Sequence, residues 1–225
     1  MIFMDLNYFV VIAIVIVLGL GSQALIKRQY KKWGKVPLAS QLSGAQAARV
    51  MLDSYGLHNI TIQKVDGELS DHFDPRTGVI SLSSSVYEGR TVAATAIACH
   101  ECGHAVQYAQ NYAPGKIRSA IVPAVNLASN VWIIVLFIGI FMSSIGMIYL
   151  AIILYAAVIL FQLVTLPVEF NATKRALAFV NSSGYLMPQE QSGARSVLNA
   201  AAFTYVAAAL GSLIFLVYML GFARR

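Results

Sequence analysis

At 225 residues, 58% hydrophobic and only 12% charged, the chain is too apolar for an ordinary soluble domain; a membrane protein is the class that fits. Its net charge of +6 would suit nucleic acid, but the basic residues cluster beside apolar runs, as juxtamembrane charge does, and no RNA-binding aromatic motif occurs. The two cysteines, Cys99 and Cys102, form a C-x-x-C without the strand-to-helix context of a thioredoxin-type redox site, and read as small packing residues.

Leu6 to Ile26 (TM1, 6–26) is the first run that reaches the about 20 apolar residues a bilayer span needs. No basic residue precedes it, while Lys27, Arg28, Lys31, Lys32 and Lys35 follow it. That order reads as an uncleaved anchor with its N-terminus outside and its basic segment in the cytoplasm. Gly19, Gly21 and Ser22 suit close helix packing.

Gln41 to Val86 is the one soluble-looking stretch; with the helix after it, it makes a cytoplasmic catalytic block over 41–115. Ser43 starts a helical pattern with Ala45, Ala48, Val50, Met51 and Leu52 on or near one face, and Gly56 stops it. Ile60 to Val65 alternates like a strand and Asp66-Gly67 is a turn signal. Asp71 to Gly78 is a turn-rich loop, and Val79 to Ser83 reads as a second strand. About 45 residues cannot build much of a core alone, so this stretch leans on the helix that follows. A strand just ahead of that helix is well placed to pair with an extended peptide.

Gly89 to Asn111 is helix-like and holds His100-Glu101-Cys102-Gly103-His104, an HExxH motif. Residues four apart on a helix lie about 40° apart, so His100 and His104 share a face and can hold one metal ion between them. Glu101 falls about 100° round from His100, placed to take a proton from a water beside that ion. Ala93, Ala96, Gln107 and Asn111 share the histidine face: the alanines leave room above a site, and the two amides are candidates to hydrogen-bond the ligands. Cys99 and Cys102 fall on the far side. The bland alternative is a buried helix that carries two histidines and a glutamate by chance.

The helix ends near Pro114-Gly115, and Lys116 and Arg118 follow. Ile121 to Met142 (TM2, 121–142) and Met147 to Leu166 (TM3, 147–166) read as a transmembrane hairpin around Ser143 to Gly146. Pro123, Asn126 and Asn130 are expected to face the bundle. The segment 167–199 opens with Glu169 directly below an apolar span. As a surface carboxylate it would balance Lys174 and Arg175. The hairpin returns it to the side of His100 and His104, however, and two histidines with one glutamate are a common zinc set that leaves a fourth position for water. Asn171 and Thr173 stand near enough to steady the carboxylate. Asn181 to Gly184 breaks the helix, Pro188 to Asn199 is short and amphipathic, and Ala200 to Phe222 (TM4, 200–222) is the last span. Arg224 and Arg225 would lie outside, outweighed by the basic residues already named together with Arg195.

Asp71-His72-Phe73-Asp74-Pro75, Ile80-Ser81-Leu82-Ser83, Val86-Tyr87, the run His100 to Gln107 and the run Pro167 to Thr173 occur in an order that resembles the YugP-like neutral zinc metallopeptidases of bacterial membranes. That family is similar in pattern to the HtpX-like proteases, in which a Glu of an E-F/Y-x-A segment is the third ligand. The resemblance implies one Zn2+ per chain on His100, His104 and Glu169, with Glu101 as the catalytic carboxylate. Related enzymes often carry Asp four residues after the ligand Glu; Thr173 stands there in this chain. An oxyanion needs a further donor, for which His72, Arg175 and Tyr185 are candidates. His72 has the plain alternative of capping its loop, and Arg175 that of facing lipid phosphates.

The expectation is a mainly α integral membrane protein of the inner (cell) membrane, multi-pass, forming one unit over 1–225. It has about four transmembrane helices and a small α+β zincin-like block facing the cytoplasm. It would act as a zinc-dependent metalloendopeptidase on membrane-associated proteins or peptides, with the lipid bilayer and a protein or peptide substrate as partners, no nucleic acid, and membrane partner subunits left open. One alternative is an intramembrane protease of the site-2 kind, but that class takes an Asp ligand from a later span and no Asp follows Asp74. The other is a non-enzymatic scaffold with a residual metal site, which has no need of Glu101.

Overall fold

The computed structural model describes residues 5–68 and 70–224. Helix α1 (Leu6–Trp33) is followed by α2 (Gly44–Ser54), strands β1 (Thr61–Val65), β2 (His72–Asp74) and β3 (Val79–Ser83), and the short α3 (Ser84–Tyr87). Then come α4 (Val92–Ala109), α5 (Ala113–Phe141), α6 (Ile145–Ser182) and α7 (Pro188–Ala223). The protein is mainly α with one small sheet. Among the described residues α1, α5, α6 and α7 are long and apolar enough to cross a membrane, and α4 is not in that set. Contacts divide the chain into two units, and each of these four helices contributes residues to both.

The first unit takes in Met1–Gln23, Ile117–Leu166 and Thr204–Arg225. Its charged side chains among the described residues are Asp5, Arg118 and Arg224. Its core joins Val135 and Leu136 of α5, Ile148, Ile152 and Tyr155 of α6, and Met219 and Phe222 of α7. The Trp132 ring lies 4.5 Å from that of Tyr155, which meets Phe215 edge-on at 5.7 Å, so one aromatic cluster ties three helices. The Tyr218 hydroxyl donates to Asp5 at 3.4 Å, joining the end of α7 to the start of α1. Ser143, at φ 52°, turns the chain between α5 and α6. Pro123, Asn126 and Asn130 do not face the bundle as expected. They are exposed, because the buried stripe of α5 runs through Val125 and Ala128, out of phase with them.

The second unit takes in Ala24–Lys116 and Pro167–Phe203. Ser43 caps α2 through a reciprocal pair: its hydroxyl accepts from the Gln46 N–H at 3.2 Å, and the Gln46 side chain accepts from the Ser43 N–H at 2.9 Å. Gly56, at φ +71°, ends the turn beyond it, where a side chain would be strained. The Arg49 guanidinium donates to the carbonyls of Leu57 and Ile60 at 2.7 and 2.8 Å, fixing the passage into β1. The sheet order is β1-β3-β2. β1 pairs parallel with β3, Thr61 opposite Val79 and Val65 opposite Ser83, while β2 pairs antiparallel with it.

Two expectations change here. The stretch Asp71 to Gly78 contains strand β2, which is too short for its alternation to show in sequence. β3, the strand ahead of the motif helix, is central, paired with β1 over Val79–Ser83 and with β2 over 79–81, and the Ser83 N–H beyond β2 goes to Asp71 Oδ1, so its edges are largely taken. Ile80 and Leu82 of β3 are fully buried, as a central strand requires, against a core built from Met51, Leu52, Val86, Val92 and Cys99.

Helix α4 starts later and ends earlier than Gly89 to Asn111. Before it the chain is extended and tied to the 36–44 linker. The Gly44 N–H donates to Gly89 O at 2.9 Å, the Leu38 N–H to Arg90 O at 2.8 Å and the Val92 N–H to Val36 O at 3.1 Å. Thr91 then caps the helix, accepting from the Ala94 N–H at 3.3 Å. Pro114 falls in the first turn of α5, where its missing N–H costs nothing. α6 runs unbroken through Pro167 and α7 unbroken past Asn199, where the sequence suggested separate segments. Glu190 in the first turn of α7 accepts from the N–H groups of Ala39 and Met187, both at 2.7 Å, and pins the linker between α1 and α2.

Candidate metal centre

His100, Glu101 and His104 come from the middle of α4, and Glu169 comes from α6, 69 residues beyond His100. The helices meet this closely because of Gly103. A Cβ built there would sit 2.6 Å from the carbonyl oxygen of Ala172 and 3.0 Å from its Cα, so no larger residue fits between the two backbones. The contact lies one residue from His104 on one helix and three from Glu169 on the other.

Both histidines turn Nε2 toward one carboxylate oxygen. His100 Nε2 lies 3.2 Å and His104 Nε2 3.5 Å from Glu169 Oε2. The imidazole rings stand 4.8 Å apart at 87°. One ligand atom from each of the three residues lies within 4.8 Å of the others. A tetrahedral zinc with bonds of about 2.0–2.1 Å has donor-to-donor edges of about 3.3 Å, so the two nitrogen–oxygen separations fit that ion. The donor types fit as well: borderline nitrogen and a carboxylate, with no thiolate. Glu169 is buried at 3% exposure, and the two imidazoles are the polar groups that face its Oε2. Burial alone would lower the His104 imidazole. The hydrogen bond and charge of Glu169, with Glu101 and Gln107, hold it above its ordinary value instead. Glu101 is buried at 8% exposure, and its carboxylate makes no hydrogen bond or ion pair among the described residues.

The outer nitrogens are also engaged. His100 Nδ1 lies 3.4 Å from the Thr173 hydroxyl, and His104 Nδ1 3.1 Å from Gln107 Oε1. Gln107 Nε2 donates to Val168 O at 2.7 Å and to Asn171 Oδ1 at 3.0 Å. Asn171 and Thr173 therefore make no hydrogen bond to the Glu169 carboxylate among the described residues, although the sequence suggested they would; Asn171, two residues on, meets Gln107, and Thr173, four residues on, meets His100. Arg175 Nε donates to Asn171 Oδ1 and its Nη1 to Gln110 Oε1, both at 2.7 Å.

His72 is exposed, with Nδ1 2.8 Å from Ser70 O, and Tyr185 is 41% exposed in the turn after α6. Neither touches the three candidate ligands among the described residues. Ala93 and Ala96 leave no open space, for both are wholly buried in the core. Asn111 lies beyond the end of α4 at φ 55°, off the face it would need to share. Gly103 and Gln110 were not singled out by sequence. A glycine inside a helix between two histidines is a signal for close approach, whereas Gln110 carries none. Cys99 and Cys102 are free and fully buried, and burial pushes the Cys99 thiol up to about 12.

A pair of histidines and a glutamate with zinc-sized spacing, in a chain with four membrane-length helices, is the pattern of a membrane metallopeptidase. The chain belongs to the family described as "Putative neutral zinc metallopeptidase", whose model matches residues 8–224. It is 43% identical over 196 residues, 87% of each chain, to the Bacillus subtilis (strain 168) protein described as "Putative membrane protease YugP". No solved structure matches it.

Proposed function

We propose that this protein is a zinc-dependent metalloendopeptidase that holds one zinc ion on His100, His104 and Glu169 and uses Glu101 as general acid and base. The observation that carries the reading is the convergence of two α4 imidazoles on one oxygen of a buried α6 carboxylate, at 3.2 and 3.5 Å. Zinc bound there supplies Lewis acidity, making water acidic near neutral pH and polarising the scissile carbonyl. Glu101 takes the proton from the attacking water as its oxygen bonds to the peptide carbon. As the carbon–nitrogen bond breaks, Glu101 passes that proton to the departing amine. Its carboxylate is free for this because no cation or donor of the chain occupies it among the described residues.

The site faces the cytoplasm and the N-terminus lies outside. Lys27, Arg28, Lys31, Lys32 and Lys35 directly follow the first apolar run, and Lys116, Lys174 and Arg175 flank the others. The unit bearing the site holds nearly all the charged residues. The substrates are loops, tails or peptides presented at the membrane surface. α4 is outside the membrane-length set, which favours this surface reading over an intramembrane protease. Glu101→Gln is expected to abolish peptide cleavage by the purified protein while zinc stays bound. Cleavage at the wild-type rate would refute the mechanism.

A further inference from the structure

We infer that Arg175, Asn171 and Gln107 form a positioning relay that fixes the tautomer of His104 and so aims its Nε2 lone pair at the metal. This rests on the reading of His104 as a ligand. The argument needs only groups whose hydrogen-bonding role admits one answer. An arginine guanidinium can only donate, so Asn171 must turn its oxygen, not its amide nitrogen, toward Arg175 Nε at 2.7 Å. A backbone carbonyl can only accept, so the Gln107 atom 2.7 Å from Val168 O must be the amide nitrogen. The same nitrogen also fills the second acceptor position of Asn171 Oδ1, at 3.0 Å.

With its nitrogen committed on both sides, Gln107 turns its oxygen to His104 Nδ1, 3.1 Å away. An amide oxygen only accepts, so Nδ1 carries the proton and Nε2 is left bare toward Glu169. The His100 side has no such logic, for the Thr173 hydroxyl at 3.4 Å can donate or accept. Gln107 is 4% exposed, so water does not readily replace a lost partner. Arg175 is held at its other end by Gln110 Oε1, which leaves it little freedom to release Asn171. The Val168 carbonyl adjoins Glu169, so the same amide also ties α4 to the residue beside the third ligand.

The relay predicts an asymmetry that a merely space-filling role would not produce. Asn171→Asp keeps the acceptor, while Asn171→Leu removes it. Gln107→Glu keeps an acceptor for His104 but sets a carboxylate against the Val168 carbonyl and Asn171 Oδ1 with nothing to donate. The test is zinc affinity of the full chain in detergent, by competition with a chelator, beside its thermal melt. Asn171→Leu, Arg175→Ala and Gln107→Glu are each expected to weaken zinc about 10- to 100-fold, and Asn171→Asp to stay within about threefold of wild type. Asn171→Leu and Arg175→Ala together are expected to cost no more than the worse single change. Nitrogen-15 spectra of the zinc-loaded wild type should show His104 protonated at Nδ1 and bound through Nε2. The reverse pattern, wild-type affinity in Gln107→Glu, or equal losses in Asn171→Asp and Asn171→Leu would overturn the relay. Zinc binding that survives loss of His104 would instead overturn the ligand reading beneath it, and the relay with it.

Discussion

Gly103→Ala is the sharpest perturbation of the joint that makes the site. The new Cβ would lie 2.6 Å from Ala172 O, 3.0 Å from its Cα and 3.1 Å from its carbonyl carbon. All three are backbone atoms of α6 and cannot rotate away. For the nearest contact to reach the 3.4 Å of ordinary packing, the helices must part by about 0.8 Å. A metal site tolerates about 0.2 Å in its ligand distances, so a displacement of that size draws Glu169 off the two histidines. Overpacking of this kind costs about 1–3 kcal/mol of stability. Gly146→Ala is the control, since nothing lies within 4 Å of its Cβ. Zinc competition titrations and thermal melts of the purified chain read both effects. Gly103→Ala should lose at least about tenfold in zinc affinity, and Gly146→Ala should match wild type in both measurements. Wild-type zinc affinity in Gly103→Ala would show that the backbone contact does not set the ligand geometry, and the reasoning would fail.

Removing zinc with a chelator should abolish proteolysis, and restoring zinc alone should return it; persistent activity in the chelated protein would contradict the assignment. Glu190→Ala removes the acceptor shared by the Ala39 and Met187 N–H groups at the start of α7 and should cost about 0.5–2 kcal/mol in a thermal or denaturant melt, with zinc affinity unchanged. With burial raising the Cys99 thiol to about 12, only about one molecule in ten thousand carries the thiolate at pH 8. A thiol reagent should therefore fail to label the native protein and react only after denaturation. Fast native labelling would reopen a redox role for the C-x-x-C pair.

What the sequence disclosed depended on the range of the interactions involved. The four apolar helices were visible because each must satisfy the bilayer along its own length. The α2 cap was visible because Ser43 and Gln46 are three residues apart. His100, Glu101 and His104 stand together on one helix, and the return of Glu169 to their side followed from counting membrane crossings. β2 was missed because three residues carry no readable period. The continuity of α6 through Pro167 was missed because a proline usually ends a soluble helix, whereas prolines are tolerated within membrane-length helices such as this one. The wiring of Arg175 through Asn171 to Gln107 was not legible at all. Each residue is an ordinary polar side chain, and only the packing of α4 on α6 decides which atoms meet.

The central claim is that one zinc binds where two distant helices bring His100, His104 and Glu169 together, and metal content tests it most directly. Elemental analysis of the detergent-purified wild type should give about one zinc per chain, and Glu169→Ala, folded by its melt, should lose most of it. Full zinc in both proteins would make Glu169 a bystander and contradict the account.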